Sequence, residues 1–490
     1  MFGVNPTVHK FIRMKKEFNK TKIVATLGPA SSTKEVLHEM IKAGVNVCRI
    51  NASHGSYEHH QKVIDIILEI NKENNLHTSI LVDLQGPKMR IGVVENNGVE
   101  LIDGNDIMIT TEECIGTAEK IYLTYPDFPK DVAIGDAVLI DDGKIKLIVI
   151  ESNGKDLVKA KIVYGGILSS KKGFNLPNTK ISLPCLTPKD LSDLDFALKN
   201  NVNWIGLSFV RCANDILELR NIIEAQGKTA KIIAKIEKPE AVRDIDEIIA
   251  VTDAIMVARG DLGVEMPMEQ LPVIQKMLIN KSIKASKPII VATQMMESMI
   301  TNFSPTRAEV SDVANSVLDG ADAVMLSGET SVGKYPVKVV EYMSNIIATV
   351  EKESLIYQRE NQPVIESETY ISDSICFNAC SMAKQVDATA IVGMTSSGYT
   401  AFKVASHRPQ ARIYVFTENR PLLYILSLVW GIRGFYYEQG NVISMTHCIN
   451  DFKTMLRKEN LIHEGDMIIN IASLPLIERG KANMIKISEV

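Results

Sequence analysis

The chain has 490 residues, 46% of them hydrophobic and 23% charged, with a formal net charge of −5. That is enough for about three domains with a sizeable core, and it lacks the basic excess that nucleic acid demands. Seven cysteines, an odd number with no C-x-x-C, support neither a disulfide framework nor a zinc site.

Residues 1–20 form a basic N-terminal arm without the apolar segment and cleavage site of a secretion signal, and no stretch is long enough to span a membrane. The expected setting is a reducing cytoplasm and the expected partners are small molecules, with no nucleic acid and no membrane. From Lys22 onward, eight short β-branched runs each end in a polar or charged cluster. They are Lys22–Leu27, Asn46–Asn51, Ser79–Leu84, Trp204–Phe209, Lys231–Ile236, Ala254–Arg259, Pro288–Thr293 and Ala323–Ser327. Helical patterns alternate with them. Ser32 and Glu35 are placed as a capping box for a helix that stops at Gly44, and Thr306 with Glu309 repeats the device for a helix that stops at Gly320. Most strand-to-strand spacings are roughly 25 to 35 residues, the period of a βα unit. Eight such units specify a (β/α)₈ TIM barrel, whose C-terminal strand ends converge on one rim. Arg49, Asp83, Lys235, Asp261 and Thr293 are therefore expected in one pocket.

The spacing jumps to about 125 residues between the third and fourth strands, and over residues 91–182 the pattern becomes short alternating strands with Asn97-Gly98, Asp103-Gly104, Asp142-Gly143 and Asn153-Gly154 turns. This is read as an inserted small β-barrel that overhangs the rim as a lid. Residues 21–90 and 183–355 then form the barrel. After a polar, helix-like stretch near Glu351–Glu360, residues 356–490 read as an open α/β domain with strands at Ala390–Met394, Arg412–Phe416 and Met467–Ile471. The apolar run Leu422–Trp430 suits an interface or a core equally well.

Glu237 and Asp261 follow neighbouring barrel strands and offer hard oxygen ligands from two directions, the way Mg²⁺ is usually held; Mn²⁺ fits the same donors. Lys235 at the same strand end and the planar fork of Arg49 supply fixed cations for a phosphoryl group, each well-placed donor stabilising its charge by roughly 3–4 kcal/mol. Thr293 could hold water or guide a proton. Gly328 to Lys334 nearly matches a P-loop but continues into Tyr335-Pro336, where that loop needs a hydroxyl on Mg²⁺, so the motif is rejected.

The blocks Thr21-Lys-Ile-Val-Ala-Thr-Leu-Gly-Pro-Ala, Cys48-Arg-Ile-Asn-Ala-Ser-His-Gly, Ile233-Ala-Lys-Ile-Glu, Met256-Val-Ala-Arg-Gly-Asp-Leu-Gly and Ala292-Thr-Gln-Met-Met-Glu-Ser-Met, in that order, resemble the pyruvate kinase family. Pro305-Thr-Arg-Ala-Glu and Met325-Leu-Ser-Gly-Glu-Thr extend the resemblance. It implies phosphoryl transfer from phosphoenolpyruvate to ADP, giving pyruvate and ATP in the last step of glycolysis. By the resemblance, Glu237 and Asp261 hold the metal, Gly260 and Thr293 orient the substrate carboxylate, and Lys235 and Arg49 neutralise the phosphoryl group. A relay through Thr293, Ser327 and water is favoured for protonating the enolate. The resemblance also points to Asn51, His54, Arg90 and the lid's Lys172 for nucleotide, to a regulatory C-terminal domain, and to a homotetramer.

Two departures stand out. Family members that need potassium hold it with groups matching Asn51, Ser53, Asp83 and the carbonyl of Leu84, and resemble D-T-K-G-P-E-x-R-T where this chain has Asp83-Leu-Gln-Gly-Pro-Lys88-Met-Arg-Ile. A second cation about 4 Å from Lys88 would be repelled by ~4 kcal/mol at an effective dielectric near 20. The Lys88 ammonium is therefore expected to replace K⁺, which is not required. In the C-terminal domain, Thr395, Ser396, Ser397, Gly398 and Thr400 are similar to the family's effector phosphate loop, but Ser396 stands in place of a lysine and the second phosphate grip near Ala472–Pro475 is missing. A fructose bisphosphate site is not expected; a sugar monophosphate or AMP is. The rival readings are a metal-dependent enolate-stabilising lyase or aldolase, which gives the lid lysines no task, and a catalytically silent phosphometabolite sensor, which leaves Lys235, Glu237, Asp261 and Thr293 unexplained.

Overall fold

The computed structural model describes residues 18–177, 179–359, 361–438, 440, 444–475 and 481–490. Most of the N-terminal arm, residues 1–17, lies outside them.

Eight parallel strands, Lys22–Thr26, Val45–Asn51, Ser79–Asp83, Trp204–Leu207, Lys231–Ile236, Ala254–Ala258, Ile289–Ala292 and Ala323–Leu326, close into a barrel, with Lys22 opposite Ala323 at the seam. The runs are apolar on both faces because both faces are covered. Val24, Val47, Leu81, Ile233, Met256 and Ile290 fill the interior, while Ile23, Ile80, Ile232 and Ile255 pack outward under the helices. Each expected strand falls within two residues of its place. The fourth stops early because Phe209 turns to φ 53°, and the seventh stops before Thr293, which turns to φ 70°.

The Thr306–Glu309 capping box forms, and its helix, Arg307–Asp319, ends at Gly320 in the left-handed region. At the first helix the expectation was one residue off. Thr33, not Ser32, caps Lys34–Ala43, because Pro29–Ser31 form a 3₁₀ turn that consumes the preceding residues. The polar stretch after Val350 is likewise not an α-helix. It carries one 3₁₀ turn at Ser354–Ile356.

Between the third and fourth barrel strands, six strands in the order Phe174–Asn175, Ala137–Ile140, Ile145–Ser152, Leu157–Tyr164, Asp106–Thr110 and Lys120–Tyr122 form one sheet, and Val99–Leu101 pairs with Gly166–Leu168. They share a separate core of Ile107, Ile109, Ile121, Leu147, Val158 and Phe174. Asn175 Nδ2 donates to Glu265 Oε1 at 2.9 Å, where Lys238 Nζ also donates at 2.7 Å, so one buried barrel carboxylate ties this unit to the rim.

The C-terminal sheet runs Ile432–Tyr436, Arg412–Thr417, Ala390–Met394, Met467–Ala472 and Met484–Glu489, the last antiparallel. Its two outer strands escape sequence reading: Gly434 interrupts one, and the other has no buried residue. The Leu422–Trp430 run resolves as core. Leu428 is fully buried against the barrel interior beside Trp204. Arg408 Nη2 and Asp322 Oδ2, 2.8 Å apart, join the two units, and Trp430 N donates to the other Asp322 oxygen.

Candidate active site

Lys235, the penultimate residue of its strand, points at three groups. Its Nζ lies 2.9 Å from Glu237 Oε1 and 3.3 Å from Asp83 Oδ1, and donates to Ser208 Oγ at 2.7 Å. Burial pushes its pKa down, but Asp83 and then Glu237 push it up by more, so it stays above the ordinary lysine range and is an ammonium. Arg49, 8% exposed, donates Nε (2.8 Å) and Nη2 (2.5 Å) to Asp83 Oδ2 and Nη1 to Thr26 Oγ1. Burial works against the Asp83 charge, yet Lys235 and Arg49 together hold its carboxyl below the usual range. Asp83 lies against the backbone of the fourth strand at Gly206. A Cβ there would sit 2.7 Å from Asp83 Oδ1, so only glycine admits the carboxylate.

Glu237 is 1% exposed. Burial raises its pKa and the neighbouring Asp261 carboxylate raises it further, while Lys235 and the Phe209 N–H, donating at 2.7 Å, oppose the rise. Two carboxylates within each other's field, one buried and the other about one-third exposed, are an oxygen donor pair for a hard divalent cation. The residues therefore fit Mg²⁺ or Mn²⁺. Among the described residues no group of three or more His, Cys, Asp or Glu is placed to hold a metal ion.

Gly260 and Thr293 also meet. The Gly260 N–H donates to Thr293 Oγ1 at 2.7 Å, and that hydroxyl donates to Ala292 O. Thr293 and Gln294 are both left-handed, φ 70° and 53°, a conformation costing a β-branched residue about 1–3 kcal/mol. Arg259 restrains this turn through Nη2 to Thr293 O (2.6 Å) and an ion pair to Asp312 (2.7 Å). Ser327 is half-buried, and its N–H donates to Glu329 Oε2, whose other oxygen accepts from Met296 N.

Asn51 Oδ1 accepts from Ser53 N, His54 N donates to Asn51 O, and Leu84 O accepts from Ser208 Oγ. Arg90 bridges to Gly173, and Lys172 pairs with Asp141 at 2.8 Å inside the inserted unit. Lys88 reaches the rim from the side of Asp261. Its Nζ lies 3.9 Å from Asp261 Oδ1 and makes no ion pair with Asp83, whose oxygens are engaged by Arg49 and Lys235. Thr395 to Thr400 lie far along the chain, where Gly398 N donates to Thr395 Oγ1 and Asn419 Nδ2 to Ser396 O. Ser208, the Phe209 N–H, Arg259 and Glu329 were not singled out as site residues. Arg259 adjoins Asp261 and Glu329 lies in a quoted block, but no spacing rule foretells the hydrogen bonds that recruit them.

Comparison with known proteins agrees with this geometry. Residues 18–340 match the family described as "Pyruvate kinase, barrel domain", and residues 373–488 match "Pyruvate kinase, alpha/beta domain". The chain belongs to the pyruvate kinase family. A pyruvate kinase of Geobacillus stearothermophilus is 42% identical over 473 residues, 96% of this chain and 80% of that protein. One from Staphylococcus aureus is 40% identical over 469 residues, with the same coverages. The crystal structure of a pyruvate kinase from Cryptosporidium parvum superposes with a TM-score of 0.88 at 36% identity over 96% of both chains. As a pyruvate kinase family member the protein is a phosphotransferase, and among the described residues no helix is long and apolar enough to cross a membrane.

Proposed function

We propose that the Lys235 rim is where a phosphoryl group passes from phosphoenolpyruvate to ADP, and that the residues divide the work as follows. The observation that carries this reading is the Lys235 ammonium held between Glu237 Oε1 and Asp83 Oδ1, with Arg49 on the far side of Asp83. Lys235 and Arg49 present fixed positive charge to a group whose negative charge spreads over its equatorial oxygens in flight. Gly260 and Thr293 orient the substrate carboxylate, the Gly260 N–H exchanging its Thr293 partner for a carboxylate oxygen. Glu237 and Asp261 hold Mg²⁺, or Mn²⁺, which when bound supplies charge neutralisation at substrate oxygens. Thr293, Ser327 and water pass a proton to the enolate carbon, and Arg259 and Glu329 keep the two turns in place for it. Asn51, His54, Arg90 and Lys172 receive the nucleotide once the inserted unit, residues 91–182, closes over the rim. Lys172 leaves Asp141 in doing so.

Three finer features belong to the same proposal. Lys88 brings a permanent ammonium to the Asp261 side of the site, and transfer proceeds without K⁺; a large rate rise on adding K⁺ to an assay free of Na⁺ and K⁺ would contradict this. A phosphorylated effector, a sugar monophosphate or AMP, engages the Thr395–Thr400 loop. The protein works in the cytoplasm as a homotetramer.

The deciding experiment is Lys235→Met, assayed by coupling pyruvate formation to lactate dehydrogenase. Transfer should fall by about a hundredfold or more, as for loss of one preorganised charge donor. Transfer within tenfold of the parent would remove Lys235 from the reaction. Turnover of phosphoenolpyruvate that ignores ADP would favour a lyase instead.

A further inference from the structure

Beneath the barrel, on the rim opposite Lys235, a cavity of about 870 Å³ separates the strand feet from the C-terminal domain. Arg220, Lys231 and Lys287 cluster around one carboxylate on its barrel wall, where Lys228 and Glu224 offset one another. Asp253 pairs with Arg220 Nη2 at 2.9 Å and Lys231 Nζ at 3.3 Å, while Lys287 Nζ reaches only the Thr252 carbonyl, at 2.7 Å. The trio therefore carries a net charge of about +2 against Asp253. Burial, and then the nearby Arg220 and Lys231, work against the Lys287 charge, with only Asp253 supporting it. Arg220 also gives Nη2 to Val251 O, which leaves Nε and Nη1 without a protein acceptor among the described residues. A guanidinium with two idle donors beside two ammonium groups is the arrangement that binds a planar or tetrahedral oxyanion.

The opposite wall comes from the C-terminal domain. Ser397 of the loop already proposed for an effector faces the cavity, as do Tyr399 and Phe402 of the helix that follows. A bare ion would not fill this space, and an apolar ligand would leave the charges unanswered. We propose that the cavity binds a phosphomonoester, its dianionic head on Arg220, Lys231 and Lys287 and its body against Tyr399 and Phe402. The inference rests on the effector reading of the Thr395–Thr400 loop and moves the charged half of that site onto the barrel. A phosphomonoester carries close to two negative charges at neutral pH, which matches the excess on the wall. Lys231 opens the strand that carries Lys235 near its end, and Lys287 precedes the one that leads into Thr293. The ligand would thus clamp the C-terminal domain to the feet of two strands whose tips carry the proposed chemistry.

The test is calorimetric titration of the full chain with AMP, glucose 6-phosphate and inorganic phosphate. At least one of the two esters should bind once per chain and more tightly than phosphate; preference for AMP would assign the body to a base, preference for the sugar ester to a hexose. Arg220→Met and Lys287→Met should each weaken that binding tenfold or more while transfer without added ligand stays unchanged. Lys231→Met, whose side chain is 40% exposed, should weaken it as well and guards against misfolding at Lys287. Failure of both esters to bind, affinity unaltered in the three variants, or phosphate binding as tightly as the esters would overturn the proposal. Loss of transfer in the unsubstituted protein would instead strike the proposed function.

Discussion

Replacing Asp83 by asparagine removes one charge from the centre of the site while keeping its shape. Asp83 is 1% exposed and neutralises both Arg49 and Lys235, the latter at 3.3 Å. At that distance and an effective dielectric near 20, its attraction for Lys235 is about 5 kcal/mol. Glu237, 2.9 Å away on the other side, remains. With that partner and relaxation of the site, the net loss is about 2–3 kcal/mol, each 1.4 kcal/mol being tenfold in an ionisation constant. The sign follows from the balance at Lys235, where burial opposes the ammonium and Asp83 is its largest support. A raised lysine keeps its charge, and the stability that goes with it, until the pH climbs through its folded-state value; without Asp83 that climb ends sooner. The assay is kcat from pH 7 to pH 12 with melting curves at each pH. Asp83→Asn should lose activity on the alkaline side about two pH units earlier than the parent and recover part of it at lower pH. Alkaline limbs that coincide would show that Asp83 does not sustain the Lys235 charge, and the electrostatic account of the site would fail.

At the acid end the same carboxyl acts in the opposite direction. Its folded-state pKa is depressed, so the stability it contributes is present above about pH 4, the ordinary aspartate value, and disappears as pH falls through the folded value; the parent and Asp83→Asn should converge in melting temperature there, as scanning calorimetry can show. Thr293→Ala removes the hydroxyl proposed to orient the carboxylate and relay the proton, and in the free protein strips the Gly260 N–H of its acceptor at a cost of about 1–3 kcal/mol. Its kcat should drop roughly ten- to hundredfold, and Thr293→Ser should restore most of the rate; an alanine variant at full speed would rule out the hydroxyl. Arg408→Met leaves Asp322 charged and buried between barrel and C-terminal domain, so urea melts should show a loss of about 3–5 kcal/mol. A loss under 1 kcal/mol would mean that water already reaches the pair.

The barrel was legible in the chain because a strand covered on both faces must be apolar throughout, and runs such as Lys231–Ile236 and Ala254–Ala258 have few other uses. The Thr306–Glu309 box was legible for a local reason: both its hydrogen bonds close within four residues. Ser32 misled because Thr33 beside it has the same hydroxyl, and the choice between them depended on a 3₁₀ turn ahead of both. Lys88 was legible only as a cation, because its long stem leaves the direction of its charge open, and packing places that charge beside Asp261.

By itself the sequence determined which groups are available at the rim, since strand period and spacing place Arg49, Lys235, Glu237, Asp261 and Thr293 at the C-terminal ends of the second, fifth, sixth and seventh strands. Only the tertiary structure decided how they meet. The left-handed turns at Phe209 and Thr293, the Asp83 carboxylate against Gly206 and the Ser208 hydroxyl on Lys235 all depend on partners far away in the chain. The physical reason is that buried polar groups must find partners, and the geometry that satisfies them is fixed when the barrel closes.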